Sequence, residues 1–232
     1  MPLYPDRSRR VGFLVKGKIM ISFQNSRLEK VFIKNKFKAH DFLKFLSKKE
    51  KASPKASVDI WLISQSKTRS YQESFGFPKD QRQIQSLKLY FSLTATENTM
   101  IIATSQAPIG IALQPLDQII STDLLISILS PEEFEYLAKK CLILQKKDIL
   151  KIWTLKEAFL DYLGYNSAVI PSVVEVTFSP LKLKKREDLY SKTWSLSLAE
   201  HLYIFSLVTP KKALTRPYFR FHWLSFEQIK PI

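Results

Sequence analysis

Lys156 and Glu157 stand side by side inside IWTLKEAFLDYLG, residues 152–164. A lysine can hold a phosphate; a carboxylate can hold a hard divalent cation or take a proton from a hydroxyl. Asp161 lies four residues beyond Glu157, so on a helix the two carboxylates share a face and could hold a divalent ion together. Ile152, Leu155, Phe159, Leu160 and Leu163 set these charges in an apolar pattern at helical spacing, and Gly164 is placed to end the helix. Other reactive types are sparse. His40, His201 and His222 form no ligand-spaced group, and Cys141, the only cysteine, lies in an apolar run that suits burial. Neither Gly-rich phosphate-loop pattern occurs, in keeping with only five glycines.

The surrounding pattern predicts the elements that must place these residues. Val11–Phe23 alternates like a strand, and NKFKAHDFLKFLSKKEK (35–51) sets Phe37, Phe42, Phe45 and Leu46 near helical spacing. VDIWLIS (58–64), LKLYFSLTAT (87–96), MIIATS (100–105) and IGIAL (109–113) read as strands. After Asp117 the pattern turns helical. SPEEFEYLAKK opens with Ser130 as N-cap, Pro131 in the first turn and Glu133 completing a capping box. VVEVTFSP, TWSLSL, HLYIFSLVT and RFHWLSF then read as strands. The expectation is an α+β protein of two comparable halves, 1–106 and 107–232.

A chain of 232 residues, 45% hydrophobic and 25% charged, is long and apolar enough for a real core. Its formal charge is +15, and residues 1–55, with fifteen Lys and Arg against four acids, hold +11 of it. That field suits an anionic partner (nucleic acid, anionic lipid, a polyphosphate cofactor or an acidic protein) or serves simply as a solvated, solubilising surface. RSRRVGFLV begins like an export signal, but Lys16 and Lys18 interrupt the apolar run and no small-residue cleavage site follows. The single cysteine points to a reducing compartment and no stretch has the length of a membrane span, so a cytoplasmic location is expected.

Three segments carry a resemblance. FSLTAT (91–96), PIGIALQ (108–114) and WTLKEAF (153–159) are similar, in this order and spacing, to the three signature motifs of the 4′-phosphopantetheinyl transferases. The likeness is to the two-domain, surfactin-synthetase-activating type, with motifs F-N-x-S-H-S, P-x-G-[IV]-D-x-E and W-x-x-K-E-[AS]. FGFP (75–78), SPEEFEYL and WLSFEQI resemble flanking parts of the family, and the match spans about residues 75–232. The resemblance implies two similar α+β halves related by a pseudo-twofold axis, with coenzyme A in the cleft between them. It implies transfer of the phosphopantetheine arm to a serine of an acyl- or peptidyl-carrier protein, with Mg²⁺ held by carboxylates of the second and third motifs. Residue by residue, it implies Glu157 and Lys156 as catalytic groups and Thr94, Lys156 and Gly110 as coenzyme A contacts. It also implies that Trp153 packs behind the site in a structural role and that the chain, like the family's two-domain members, acts as a monomer.

The same alignment marks departures. The second motif's aspartate is Ala112 and its glutamate is Gln114; Ser92, Thr94 and Ala95 replace the asparagine, serine and histidine of the first. Phe77 stands for a lysine, and Asp161 for the lysine that follows the third motif. Mg²⁺ affinity rises with ligand charge, so Glu157, Gln114 and Asp161 make at best a weakened metal site. Each lost charge-assisted contact costs roughly 10²–10³-fold when it acts on a transition state. Three functions follow as expectations: an impaired transferase, a non-catalytic descendant that binds coenzyme A or a carrier protein, or a basic nucleic-acid-binding protein. RPYFRFHW (216–223), arginine interleaved with aromatics, resembles single-strand nucleic-acid binders, but its near-alternation is better read as an ordinary half-buried strand.

Overall fold

The computed structural model describes residues 58–64, 83–84, 89–96, 99–140, 142–165, 169–198, 201–214 and 219–225. The expectations for 11–23 and 35–51, the basic first quarter, FGFP, His40 and Cys141 lie outside these residues. Ten strands and three helices are described. The strands are β1 Val58–Ser64, β2 Gln83–Ile84, β3 Leu89–Ala95, β4 Thr99–Ser105, β5 Gly110–Pro115, β6 Val176–Phe178, β7 Leu181–Leu183, β8 Leu189–Leu198, β9 His201–Pro210 and β10 Phe219–Ser225. The helices are α1 Thr122–Ile128, α2 Pro131–Ala138 and α3 Leu142–Leu163. The protein is α+β.

Strand order follows burial. In the five-stranded sheet, β10-β1-β4-β3-β2, the central β4 (TMIIATS) is buried at every position. A second sheet, β5-β9-β8, is antiparallel, and β6 and β7 form a separate hairpin. The alternation of β5 sorts its side chains between two cores. Ile109, Ile111 and Leu113 meet Val58, Ile60 and Leu62 of β1, Ile101 and Ala103 of β4, and Phe205 of β9. On the opposite face Ala112 packs under α3, with Leu155, Ala158, Ile204 and Val208. The β5-β9-β8 sheet is therefore sandwiched between α3 and the larger sheet.

The chain does not divide cleanly after residue 106. β10 pairs parallel with β1, Val58 opposite Phe219, so the last described strand belongs to the sheet built by the first. Trp194 of β8 helps join the sheets, with its ring centroid 5.5 Å from those of Phe205 and Phe219.

The helix ends obey the local sequence signals. Ser130 and Glu133 form a reciprocal capping box on α2. At the end of α3, Gly164 takes φ 85°, while its N–H donates to Asp161 O and that of Tyr165 to Leu160 O. These are the two bonds of a Schellman stop, which places glycine in the left-handed region.

Gly110 is needed for a different reason. A Cβ there would lie 2.1 Å from Ala158 O and 2.3 Å from Tyr162 N, inside the backbone of α3. The strand and helix touch main chain to main chain, and only hydrogen fits between them. Gly110→Ala is expected to lower stability by about 1–3 kcal/mol or more, read from urea unfolding, because neither backbone can yield cheaply. A loss under about 0.5 kcal/mol, typical of surface substitutions, would show that the two elements separate freely.

Candidate functional site

The close approach at Gly110 brings the three motif segments together. α3 runs antiparallel to β5, so Gly110 lies beside Ala158 and Tyr162 at one end. At the other end Gln114 Nε2 donates to Glu157 Oε2 at 3.0 Å. Gly110, Ala112 and Gln114 share one face of β5 because they alternate along it. β3 contributes Ser92 from the side. The Ser92 hydroxyl donates to Asp161 Oδ2, and the Ile111 N–H donates to that same oxygen at 3.0 Å and to Ser92 Oγ at 3.1 Å. Thr94 follows two residues along the same face of β3, half-buried.

The carboxylates differ in their surroundings. Glu157 is half-buried, and burial raises its pKa above the ordinary 4.5. Hydrogen bonds from Gln114 and Trp153 act the other way, and the charge of Asp161 adds to the rise. Trp153 is thus more than packing behind the site; its indole N–H, the side chain's sole donor, serves Glu157.

Lys156 points elsewhere. Its side chain is 0% exposed, with Nζ donating to Glu133 Oε2 at 2.6 Å and to Ile128 O at 2.8 Å. The expected contact between Lys156 and coenzyme A therefore does not fit this conformation: the ammonium is spent on the start of α2 and the end of α1, beyond reach of a solvent-borne phosphate. Burial lowers its pKa, and the hydrogen bond and charge of Glu133 oppose that shift. Glu133 serves twice, since the same Oε2 accepts from Ser130 N at 2.9 Å in the capping box. The capping role was visible from spacing; the ion pair, 23 residues apart in sequence, had no local signal.

Gly110 likewise touches α3 backbone rather than open space. Ala112 is 4% exposed within the apolar core. Its cross-strand neighbour Ser206 belongs to a row of hydroxyls, with Ser206 Oγ 2.8 Å from both Thr193 Oγ1 and Thr154 Oγ1. Thr154 in turn donates to Leu150 O at 2.9 Å, so the row terminates in the α3 backbone. Sequence spacing did not reveal this row, because hydroxyls from α3, β8 and β9 meet only through the fold. His201 is exposed at the start of β9, and His222 lies on β10.

These donors do not fit Mg²⁺. Ala112 supplies no ligand, Gln114 turns its amide N–H toward Glu157, and Asp161 Oδ2 already accepts from two donors. Among the described residues no group of three or more His, Cys, Asp or Glu is placed to hold a metal. No described helix is long and apolar enough to cross a membrane. No protein-family model matches the chain, and no curated protein matches it.

Two outcomes test this site. Lys156→Met, which leaves Glu133 buried without its cation, is expected to cost about 3–5 kcal/mol in urea unfolding, and adding Glu133→Gln should recover much of it. Glu157, with its raised pKa, holds a proton more tightly folded than unfolded. Above pH 4.5 the folded chain therefore carries more protons, and this contribution to stability is lost as pH rises through the raised value. Glu157→Gln should remove that slope, gaining on the wild type in urea midpoint as pH climbs; parallel pH profiles would refute the assignment.

Proposed function

We propose that this chain is a non-catalytic relative of the 4′-phosphopantetheinyl transferases that binds an acyl- or peptidyl-carrier protein without modifying it. The observation that carries the reading is the Gln114–Glu157 hydrogen bond, 3.0 Å long, between PIGIALQ and WTLKEAF. Two segments that resemble the metal motifs of one family, 43 residues apart, meet at the positions where that family pairs carboxylates. An amide N–H at Gln114 occupies the Glu157 carboxyl oxygen from within the chain, with no cation required. The two-halved architecture around a pseudo-twofold axis, divided near residue 107, belongs to the same proposal, with β10 crossing back to the first half.

Electrostatics favours a protein partner over coenzyme A. Glu157 and Asp161 place negative charge along one face of α3, and Lys156 is sequestered by Glu133. Phosphates are repelled by that face. The +11 of residues 1–55 suits the phosphates of coenzyme A and equally the acidic recognition helix typical of carrier proteins. A monomer in the cytoplasm completes the reading.

Purified protein mixed with coenzyme A, Mg²⁺ and a panel of apo-carrier proteins should leave every carrier's mass unchanged. Calorimetry should show salt-sensitive binding of at least one carrier, and coenzyme A alone should not shift the melting temperature. A phosphopantetheine-sized mass gain would establish a transferase instead. Failure to bind any carrier, together with affinity for RNA or DNA that falls steeply with salt, would establish the nucleic-acid reading.

A further inference from the structure

The free edge of β5 raises a problem that Asp161 solves. Among the described residues β5 is an outer strand of its sheet, bonded to β9 on one side. The Ile111 N–H faces the other side, in a part of the chain 3% exposed, and a buried N–H must find an acceptor. It finds two, Asp161 Oδ2 at 3.0 Å and Ser92 Oγ at 3.1 Å, and the hydroxyl of Ser92, 4% exposed, donates to that same Asp161 oxygen. One oxygen thus accepts from a backbone N–H and a serine O–H held by two different sheets. Converging donors of this kind bind small oxyanions in general.

We infer that Asp161 is a built-in ligand, filling with its own carboxylate a small oxyanion site at the seam between β3 and β5. The donors belong to the sheets and the acceptor to the helix, so removing the acceptor leaves the Ile111 N–H fixed by β5–β9 pairing and Ser92 carried on β3. Asp161 is half-buried, while Ser92 and Ile111 are buried beneath it. A planar carboxylate the size of formate matches the group removed by truncation at Cβ. The contact is autoinhibitory: no outside oxyanion reaches Ser92 Oγ and Ile111 N while Asp161 stays in place. This inference rests on the seam geometry alone and holds whether or not the chain binds a carrier protein.

Asp161→Ala tests it, since alanine keeps the helix and deletes the carboxylate. Sodium formate, compared with sodium chloride at equal concentration, should raise the melting temperature of D161A saturably and shift the Ile111 amide resonance. Wild type should show neither effect, and S92A/D161A should bind formate about tenfold more weakly, the loss expected for one such donor. If D161A does not fold in chloride, formate should restore its circular dichroism. D161N, which keeps an acceptor oxygen in place, should ignore formate. The proposal is overturned if D161A answers formate no better than chloride, if formate fails to restore an unfolded D161A, or if D161N or S92A/D161A responds as strongly as D161A.

Discussion

Backbone contact between β5 and α3 at Gly110 sets the geometry of everything around it. An ordinary helix rests on a sheet through intervening side chains, at a separation close to 10 Å. Here Gly110 brings the strand against Ala158 O and Tyr162 N. Shorter side chains on both elements then reach across: Gln114 meets Glu157, and Asp161 meets the edge of β5. With any larger residue at 110 the same sequence would place these polar groups too far apart to pair. The apolar layers on either side of β5 supply the burial, and the glycine supplies the register.

That register explains why two neighbouring charges on α3 have opposite fates. Lys156 and Glu157 project about 100° apart around the helix axis. Lys156 turns toward α1 and α2, where Glu133 and the Ile128 carbonyl replace its water. Glu157 turns toward β5, where burial disfavours its charge and hydrogen bonds from Gln114 and Trp153 favour it. Replacing one partner of such a buried arrangement leaves the other uncompensated, so each charge binds its neighbours to a particular conformation. The adjacent charged pair is thus a buried ion-pair anchor on one side and a half-buried carboxyl paired with Gln114 on the other.

Local chemistry was legible in the sequence wherever a short-range rule governed it. The capping box at Ser130 and Glu133, the stop at Gly164 and the alternating strands 58–64, 109–113 and 201–209 all follow from neighbours within a few positions. The meeting of Gln114 with Glu157 was expected only through resemblance to a family, since no periodicity links residues 43 apart. The return of β10 to β1 was not legible at all, and it blurs the boundary drawn near residue 107. Strand alternation states which face is buried but not which strand lies alongside. For Lys156, the family resemblance made it a candidate coenzyme A contact, and its actual partner lay in another element that local pattern does not reach.

The parallel pairing of β10 with β1 has a bearing on how the molecule is made. Val58 and Phe219 sit opposite each other although roughly 160 positions separate them along the chain. During synthesis β1 emerges early and must wait for nearly all of α3 and the β8–β9 hairpin before its outer neighbour exists. Until then the outer side of β1 lacks β10, and with it the partner for a row of main-chain amides and carbonyls. Assembly of the larger sheet is therefore a late, long-range event, and a nascent chain cut short before β10 leaves that edge open to strands from other molecules.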